Sequence, residues 1–232
     1  MSKRSWVRAA RRAIFGSGRV AGRDSASAIN SRNLKSIQAG TLRYSWRGVP
    51  CLKNPFDFAL YPLLLWQLKP KTIIEIGSNA GGSALWLADT MRALGQACEI
   101  VSIDIKAPAL SDAQVRFLAG DAHNLDAVLT ADMLAGFRRP WLVIEDSSHQ
   151  YATCMRVLKF FDRYLAPGEY ILIEDGIVDD LGLGDDFDGG PNRAIKEFLV
   201  AAGERYAIDP QFCDFYGHNV TWNTNGYLRR IS

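Results

Sequence analysis

Five short apolar segments of the sequence each end in, or lead directly to, an acidic residue. These acids are Glu75, Asp104, Asp121, Glu145 with Asp146, and Glu174 with Asp175. Apolar runs of this length are typical of buried β-strands, and the runs cover residues 72–76, 100–104, 115–118, 141–145 and 170–174. If the strands are parallel, their acids meet at one edge of the sheet, where they could bind cations or transfer protons.

The last two predicted strands carry the densest group of acids. Asp146, Glu174 and Asp175 are expected to come together, and clustered carboxylates repel one another unless a cation or a shared proton relieves them. Oxygen ligands suit Mg²⁺ or another hard divalent cation, so we predict a metal site at these three residues. The alternative is that some of the acids cap helices or pair with Arg and Lys.

A histidine follows the first of these acids by three residues. His149 could reach the same cavity as a general base, because the ordinary pKa of an imidazole is about 6.5. We therefore assign catalytic roles to His149 and Asp146. The alternative is a histidine at a helix start or on the surface.

The first predicted strand leads into a turn of small residues that precedes a predicted helix, so backbone N–H groups could approach a ligand closely. The turn does not have the G-x-G-x-x-G spacing of dinucleotide enzymes, and Glu75 before it would repel a pyrophosphate. The same acid suits the sulfonium and ammonium groups of S-adenosylmethionine (SAM). The turn residues predicted to bind SAM with Glu75 are Gly77, Ser78, Asn79, Gly81 and Ser83.

Two further acids stand where the rest of this cofactor is expected. Asp104 ends the second strand and could accept hydrogen bonds from both ribose hydroxyls. Asp121, with Ala122 and His123, follows the third strand, where adenine is expected. Each acid alone could equally be a solvated turn residue, and the order of the motifs favours cofactor binding.

Helical patterns alternate with these strands, which predicts parallel strands covered by helices on both faces. A hairpin between 219–222 and 226–228 is expected to close the sheet with antiparallel strands. The loop 176–192 has glycines and an acidic stretch that does not fit a calcium-binding EF-hand, so we predict a mobile acceptor-binding loop. The predicted helices are one beginning at Pro55 and those at 81–95, 124–136, 150–165 and 193–201.

Length and composition are those of one α/β domain with a short appendage. The chain has 232 residues, 48% of them hydrophobic, and its four cysteines form no C-x-x-C pair, which argues against a zinc finger or a disulfide framework. No apolar run reaches the roughly 20 residues of a membrane span, and the N-terminus has no secretory pattern. We expect a cytoplasmic protein with a basic arm over residues 1–40 and a catalytic domain over 41–232.

The arm concentrates the positive charge of the chain. Residues 1–35 contain nine Lys or Arg against one acid, Asp24. The spacing of Trp6, Ile14 and Phe15 predicts a basic amphipathic helix that could contact an anionic membrane surface or glycan. The alternative is a solvated arm, and we expect no nucleic acid partner.

Taken together, these motifs resemble the cephalosporin hydroxylase and rhamnosyl O-methyltransferase family, and also the catalytic domain of macrolide sugar O-methyltransferases. The likeness covers about residues 44–230 and excludes the arm. The runs that carry it are Lys69–Gly77, Gly81–Ala84, Asp146–His149, Pro167–Asp175 and Gly189–Pro191.

The resemblance implies a Rossmann-like class I methyltransferase sheet, mostly parallel with a closing antiparallel hairpin. It also implies Mg²⁺ on Asp146, Glu174 and Asp175, with His149 as base. No iron triad of two histidines and one carboxylate is visible in these motifs, which puts an oxidative reaction in doubt.

We therefore predict a Mg²⁺-dependent O-methyltransferase that moves the methyl group of SAM to a hydroxyl. The favoured acceptor is a sugar on a natural product or a surface polysaccharide. The alternatives are a catechol-like diol as acceptor, a nicotinamide-dependent oxidoreductase, and a non-catalytic partner that keeps the fold. The sequence leaves the oligomeric state open, a homo-oligomer included.

Overall fold

The computed structural model describes residues 23–232 of the chain. One seven-stranded sheet forms its centre, and a two-stranded hairpin lies outside it. The strands of the hairpin are β1 (Ser45–Trp46) and β2 (Val49–Pro50). Those of the sheet are β3 (Thr72–Ile76), β4 (Glu99–Asp104), β5 (Val115–Ala119), β6 (Trp141–Glu145), β7 (Tyr170–Ile173), β8 (Tyr206–Ile208) and β9 (Tyr227–Arg230).

Helices precede, connect and follow these strands. They are α1 (Ser31–Thr41), α2 (Pro55–Leu68), α3 (Gly82–Ala93), α4 (Leu125–Val128), α5 (Ala131–Gly136), α6 (Tyr151–Asp162), α7 (Gly190–Ala202) and α8 (Pro210–Cys213). None of the helices in residues 23–232 is long and apolar enough to cross a membrane.

The strand order of the sheet places a ligand crevice at its centre. The order is β5-β4-β3-β6-β7-β9-β8, with β3 to β7 parallel and β9 antiparallel to both of its neighbours. The winding reverses between β3 and β6, and ligands of open α/β sheets bind beyond the carboxyl ends of strands at such a point. Every residue of β3, β6 and β7 is buried, as expected for parallel strands covered on both faces.

The prediction of a mostly parallel sheet with an antiparallel edge is confirmed, but the closing pair of strands was assigned wrongly. Residues 219–222 form no strand, and β9 pairs instead with β7 and β8. Side-chain hydrogen bonds explain the difference. The backbone N–H of Asn225 donates to Asn219 Oδ1 at 3.1 Å, and both residues have positive φ, so the segment folds into a compact turn.

The helix predicted over 124–136 is two short helices, α4 and α5. Leu129 leaves the helical region with φ −98° and ψ 80°, and the Thr130 hydroxyl then accepts the N–H of Met133 as the cap of α5.

Helix α2 fixes the segment that enters the crevice. The Asn54 side chain caps it by accepting the N–H groups of Phe56 and Asp57, and Pro55 stands at the first helical position. Lys69 ends it in the left-handed conformation before Pro70. Residues 50–53 lead directly into this cap.

Part of the predicted arm packs on the domain. Leu34 of α1 is buried against Ile177 and Trp222, and the Trp222 indole N–H donates to Gln38 at 2.7 Å. The Arg23 guanidinium pairs with Asp214 at 2.5 Å. The predicted amphipathic helix of the arm lies outside the described residues.

Candidate active site

A cavity of about 740 Å³ opens at the carboxyl ends of the parallel strands. This volume lies within the range of small-molecule sites, which is about 300–1,000 Å³. The predicted site residues on its wall are Gly77, Ser78, Asn79, Ser83, Asp104, Asp121, Ala122, His123, Asp146, His149 and Asp175. Three predicted site residues, Glu75, Gly81 and Glu174, are absent from that wall.

The glycine turn joins the ends of β3, β4 and β6. Gly77 has φ 104°, its N–H donates to Ile103 at 2.7 Å, and a Cβ there would lie 2.0 Å from the Asp146 carbonyl oxygen. Only glycine fits this crossing. Gly81 has φ 90° at the cap of α3, and a Cβ there would meet Leu110 at 2.8 Å. Gly81 therefore shapes the turn without reaching the cavity.

Glu75 lies behind the cavity wall and is fully buried. One of its oxygens accepts a hydrogen bond from the Ser102 hydroxyl, and the other, Oε1, has no partner within the described residues. Burial raises the pKa of this carboxyl, although Lys53 and the hydroxyl oppose the change. An unsatisfied buried carboxylate oxygen is costly, so the position suits a nearby cationic ligand group.

The side of the cavity formed by β4 and β5 is open to water. Asp104 is half-buried and accepts the N–H of Asn79 at 2.7 Å. Asp121 is exposed and caps the short 3-10 turn Ala122–Asn124 by accepting the N–H of His123 at 2.8 Å. His123 contacts the Thr153 hydroxyl through Nε2 at 2.9 Å. The side chains of Asp104, Asp121 and His123 all lie at the cavity wall, and each could form further hydrogen bonds with a ligand.

The side formed by β6 and β7 holds a compact polar cluster. Asp146, His149 and Asp175 each offer one ligand atom, and these atoms lie within 4.8 Å of one another. His149 Nε2 is 3.3 Å from Asp175 Oδ2, and the His149 ring packs edge-on against Phe187 at 5.8 Å. Both His149 and Asp175 have φ 57°, in the left-handed region that non-glycine residues seldom adopt.

Glu174 faces the interior. Its side chain is buried and accepts hydrogen bonds from the Tyr61 hydroxyl and the Lys53 ammonium group. The Lys53 ammonium also contacts Asp146 Oδ2 at 2.5 Å. Lys53 thus joins two of the three predicted metal ligands, and the sequence analysis missed it.

Burial controls the protonation of this cluster. It raises the pKa of Glu174 and of Glu145 to about 7. It also raises the pKa of Asp146 and Asp175, against the opposing charges of Lys53 and His149. Desolvation lowers the pKa of His149, but Asp175 and the other surrounding carboxylates outweigh it, so the pKa is raised. The acids outnumber the cations, and a further cation would stabilise the cluster.

The donor set fits a hard divalent cation. Asp146 and Asp175 present carboxylate oxygens at the cavity wall, and the second Glu145 oxygen is buried without a hydrogen-bond partner in the described chain. Within residues 23–232 the aspartates of loop 176–192 form no comparable group. The oxygen-rich cluster matches the ligand preference of Mg²⁺.

The sheet order, the glycine turn and the acidic strand ends define a class I methyltransferase. Residues 39–231 match the family described as Rhamnosyl O-methyltransferase/CmcI. The chain belongs to this family of O-methyltransferases.

Relatives and solved structures agree with this assignment. A rhamnosyl O-methyltransferase of Mycobacterium leprae (strain TN) is 28% identical over 202 residues, which are 80% of this chain and 82% of that protein. A Mg–SAM complex of CmcI superposes with a TM-score of 0.66 at 26% identity, covering 82% of this chain and 78% of that one. An SAH complex of CmcI gives 0.62 at 26% identity, with 82% and 83% covered. These comparisons lend no support to a nicotinamide-dependent oxidoreductase.

Proposed function

We propose that the protein transfers the methyl group of SAM to a sugar hydroxyl in a Mg²⁺-dependent reaction. The observation that carries the proposal is that the glycine turn, the acids Asp104 and Asp121, and the Asp146–His149–Asp175 cluster all line one cavity. SAM and Mg²⁺ are bound in the CmcI complex that this chain resembles.

The residues proposed to bind SAM lie on the β3–β5 side. Asp104 would accept the ribose hydroxyls, and Asp121, Ala122 and His123 would surround adenine. Glu75 would stabilise the cationic end of SAM from behind the wall. The turn residues that would contact the cofactor directly are Gly77, Ser78, Asn79 and Ser83, with Gly81 supporting the turn.

The residues proposed to perform the chemistry lie on the β6–β7 side. Asp146, Asp175 and Glu174 would hold Mg²⁺, which when bound polarises the acceptor hydroxyl. His149 would take the hydroxyl proton at Nδ1, the ring nitrogen that does not contact Asp175, while the acceptor oxygen bonds to the methyl carbon and the carbon–sulfur bond breaks. Asp175 would orient the imidazole, as its 3.3 Å contact with Nε2 indicates.

The acceptor is proposed from the relatives and from the cavity rim. The curated relatives are named rhamnosyl O-methyltransferases, which favours a deoxysugar on a natural product or surface polysaccharide. Loop 176–192 would contact the acceptor, because its Phe187 already packs on His149. A catechol-like diol remains the second candidate, since it could present two oxygens to a metal.

Methyl transfer to a panel of acceptors tests the proposal. Full-length protein is incubated with methyl-labelled SAM, Mg²⁺ and rhamnosides, other glycosides or catechols. We expect a labelled methyl ether on a glycoside and loss of label when EDTA is added. Transfer to catechols alone would overturn the sugar assignment, and transfer unchanged by EDTA would overturn the metal.

We also propose that the arm brings the enzyme to the inner face of the membrane. Residues 1–22 carry six Lys or Arg and no acid. Arg23, the first residue that the structure describes, pairs with Asp214, and the exposed Phe215 and Tyr216 follow Asp214 in the chain. Co-sedimentation with phosphatidylserine vesicles should fall when residues 1–22 are deleted and when salt is raised. Equal binding by the truncated protein would overturn this proposal.

A further inference from the structure

Lys53 is a buried cation placed between two buried acids. It is 3% exposed, whereas every other lysine within residues 23–232 is exposed or half-buried. Its ammonium group contacts Asp146 and Glu174, and it lies 5.9 Å from the centre of the Tyr61 ring. Burial of a lysine is costly, so these ion pairs must compensate for it.

The backbone around Lys53 is fixed, so the contacts do not depend on a flexible loop. Asn54, the next residue, caps α2. The preceding residues pack against α3 so closely that a Cβ at Gly82 would lie 2.1 Å from the Pro50 carbonyl oxygen. This cap and this packing place the Lys53 ammonium group beside the two carboxylates.

The two acids that Lys53 joins are also proposed metal ligands. Without a cation between them, Asp146 and Glu174 would repel each other in a region of low dielectric constant. Lys53 contacts one oxygen of each carboxylate and the Tyr61 hydroxyl contacts the other oxygen of Glu174, so a divalent ion that bridged Asp146 and Glu174 would have to displace one of these contacts. An ammonium group and a metal ion cannot both occupy that position.

We infer that Lys53 is an internal counter-cation that holds Asp146 and Glu174 together in the metal-free protein and competes with the divalent metal for their oxygens. This inference rests on the proposed metal site. Lys53 is a positioning residue: it keeps the ligands assembled before the metal binds.

Neutral substitutions of Lys53 should separate these two effects. Full-length Lys53→Met and Lys53→Gln are compared with the unmodified protein by Mg²⁺ titration calorimetry with saturating SAH, and by thermal unfolding in EDTA or Mg²⁺. We expect Mg²⁺ to bind the neutral variants about tenfold or more tightly, because a competing charge is gone. We also expect a lower Tm in EDTA and a larger gain in Tm on adding Mg²⁺.

Two further variants serve as controls. Lys196→Met removes an exposed lysine of α7 and should leave Mg²⁺ binding and both Tm values unchanged. Lys53→Arg retains the charge and adds a bidentate donor, so it should bind Mg²⁺ equally or more weakly. If the neutral variants fail to fold both in Mg²⁺ and in EDTA, the test rests on Lys53→Arg. Tighter Mg²⁺ binding by Lys53→Arg than by the unmodified protein would overturn the inference, and equal or weaker binding would support it.

The outcomes distinguish this inference from the proposed function. Mg²⁺ binding by the unmodified protein with unchanged or weaker binding by folded Lys53→Met would overturn the role of Lys53 alone. Absence of Mg²⁺ binding in every variant would overturn the metal site and this inference together. Binding only in the neutral variants would support the competition and show that Lys53 blocks the metal in the unmodified protein.

Discussion

The two sides of the cavity use the same residue type in different surroundings. On the β4–β5 side, Asp104 and Asp121 are half-buried or exposed and accept backbone N–H groups. On the β6–β7 side, Asp146 and Asp175 are half-buried at the wall, Glu174 is buried behind it, and the Lys53 ammonium group pairs with Asp146 and Glu174. An acid in water needs no ligand to remain ionised, whereas an acid in the interior needs a cation nearby.

This difference indicates a division of labour. The open side is suited to hydrogen bonds with neutral hydroxyls, because its acids keep free lone pairs and cost little free energy when no ligand is bound. The closed side is suited to cations and proton transfer, because burial raises the pKa of its acids and strengthens each charge interaction. Substitutions on the two sides should therefore affect different kinetic constants.

Asp146→Asn should have the largest effect. Removal of a ligand charge from the closed side weakens both the metal site and the pairing with Lys53, so we expect kcat for methyl transfer to fall about a thousandfold, with SAM binding nearly unchanged. Labelled methyl transfer and calorimetry with SAM measure the two quantities. Asp126→Asn, at an exposed acid outside the cavity wall and outside loop 176–192, is the matched control. Activity within tenfold of normal would contradict the assignment of the closed side.

His149→Ala should have the next largest effect. Loss of the proposed base should lower kcat about a hundredfold, because general-base catalysis contributes roughly that much or more. Mg²⁺ binding should change little, which separates a base from a metal ligand. The control is His218→Ala, at an exposed histidine near the N-terminal segment. A large loss of Mg²⁺ affinity in His149→Ala would instead make His149 a metal ligand, as its place in the cluster allows.

Asp104→Asn should have a smaller effect, and on a different constant. An amide loses the charge that strengthens hydrogen bonds to the ribose, so KM for SAM should rise about tenfold while kcat stays within a few-fold. Steady-state kinetics with varied SAM measure both. Asp132→Asn, an exposed acid of α5, is the control. A fall in kcat with unchanged KM would break the division between the two sides.

Much of this arrangement could be predicted from the sequence because parallel buried strands leave a clear pattern. The strands around the site are buried throughout and mainly apolar, and an acid lies at or next to the end of each one. The turn after β3 required glycine, so its position was visible as well. These features depend on a few neighbouring residues, which is why a single sequence reveals them.

The missed features depend on residues far apart in the chain. Lys53 meets Asp146 across 93 positions and Glu174 across 121. Its one local signal is a charge beside the apolar segment 49–52, just before the cap of α2.

Glu75 and Glu174 were expected in the cavity because they end strands, but the side chain of a strand residue can point into the layer behind the wall. The turn at 219–225 was missed because side-chain hydrogen bonds from asparagine override an alternating pattern.

Asp57 is a buried acid away from the cavity wall, and it tests whether burial alone is enough to raise the pKa of an acid as it does on the closed side of the cavity. Asp57 is 1% exposed and accepts the Thr221 hydroxyl at 2.6 Å, with Tyr227, Glu174 and Lys53 as its titratable neighbours. Burial raises its pKa to about 7. The folded protein therefore retains this proton up to about pH 7, whereas the unfolded chain releases it near pH 4.

The sign of the effect follows from this difference. Between about pH 4 and pH 7 Asp57 holds its proton in the folded state and has lost it in the unfolded state, so its contribution to the unfolding free energy falls as the pH rises and is level above pH 7. Asp57→Asn keeps the acceptor oxygen but does not titrate. The unfolding free energy of this variant should therefore fall less steeply with rising pH than that of the unmodified protein, by up to about 1.4 kcal/mol per pH unit. Urea unfolding from about pH 5 to pH 8 measures it, with Asp126→Asn at a 70% exposed side chain as control. Parallel stability curves for Asp57→Asn and the unmodified protein would mean that burial does not set the charge of these acids, and the contrast between the two sides would need another cause.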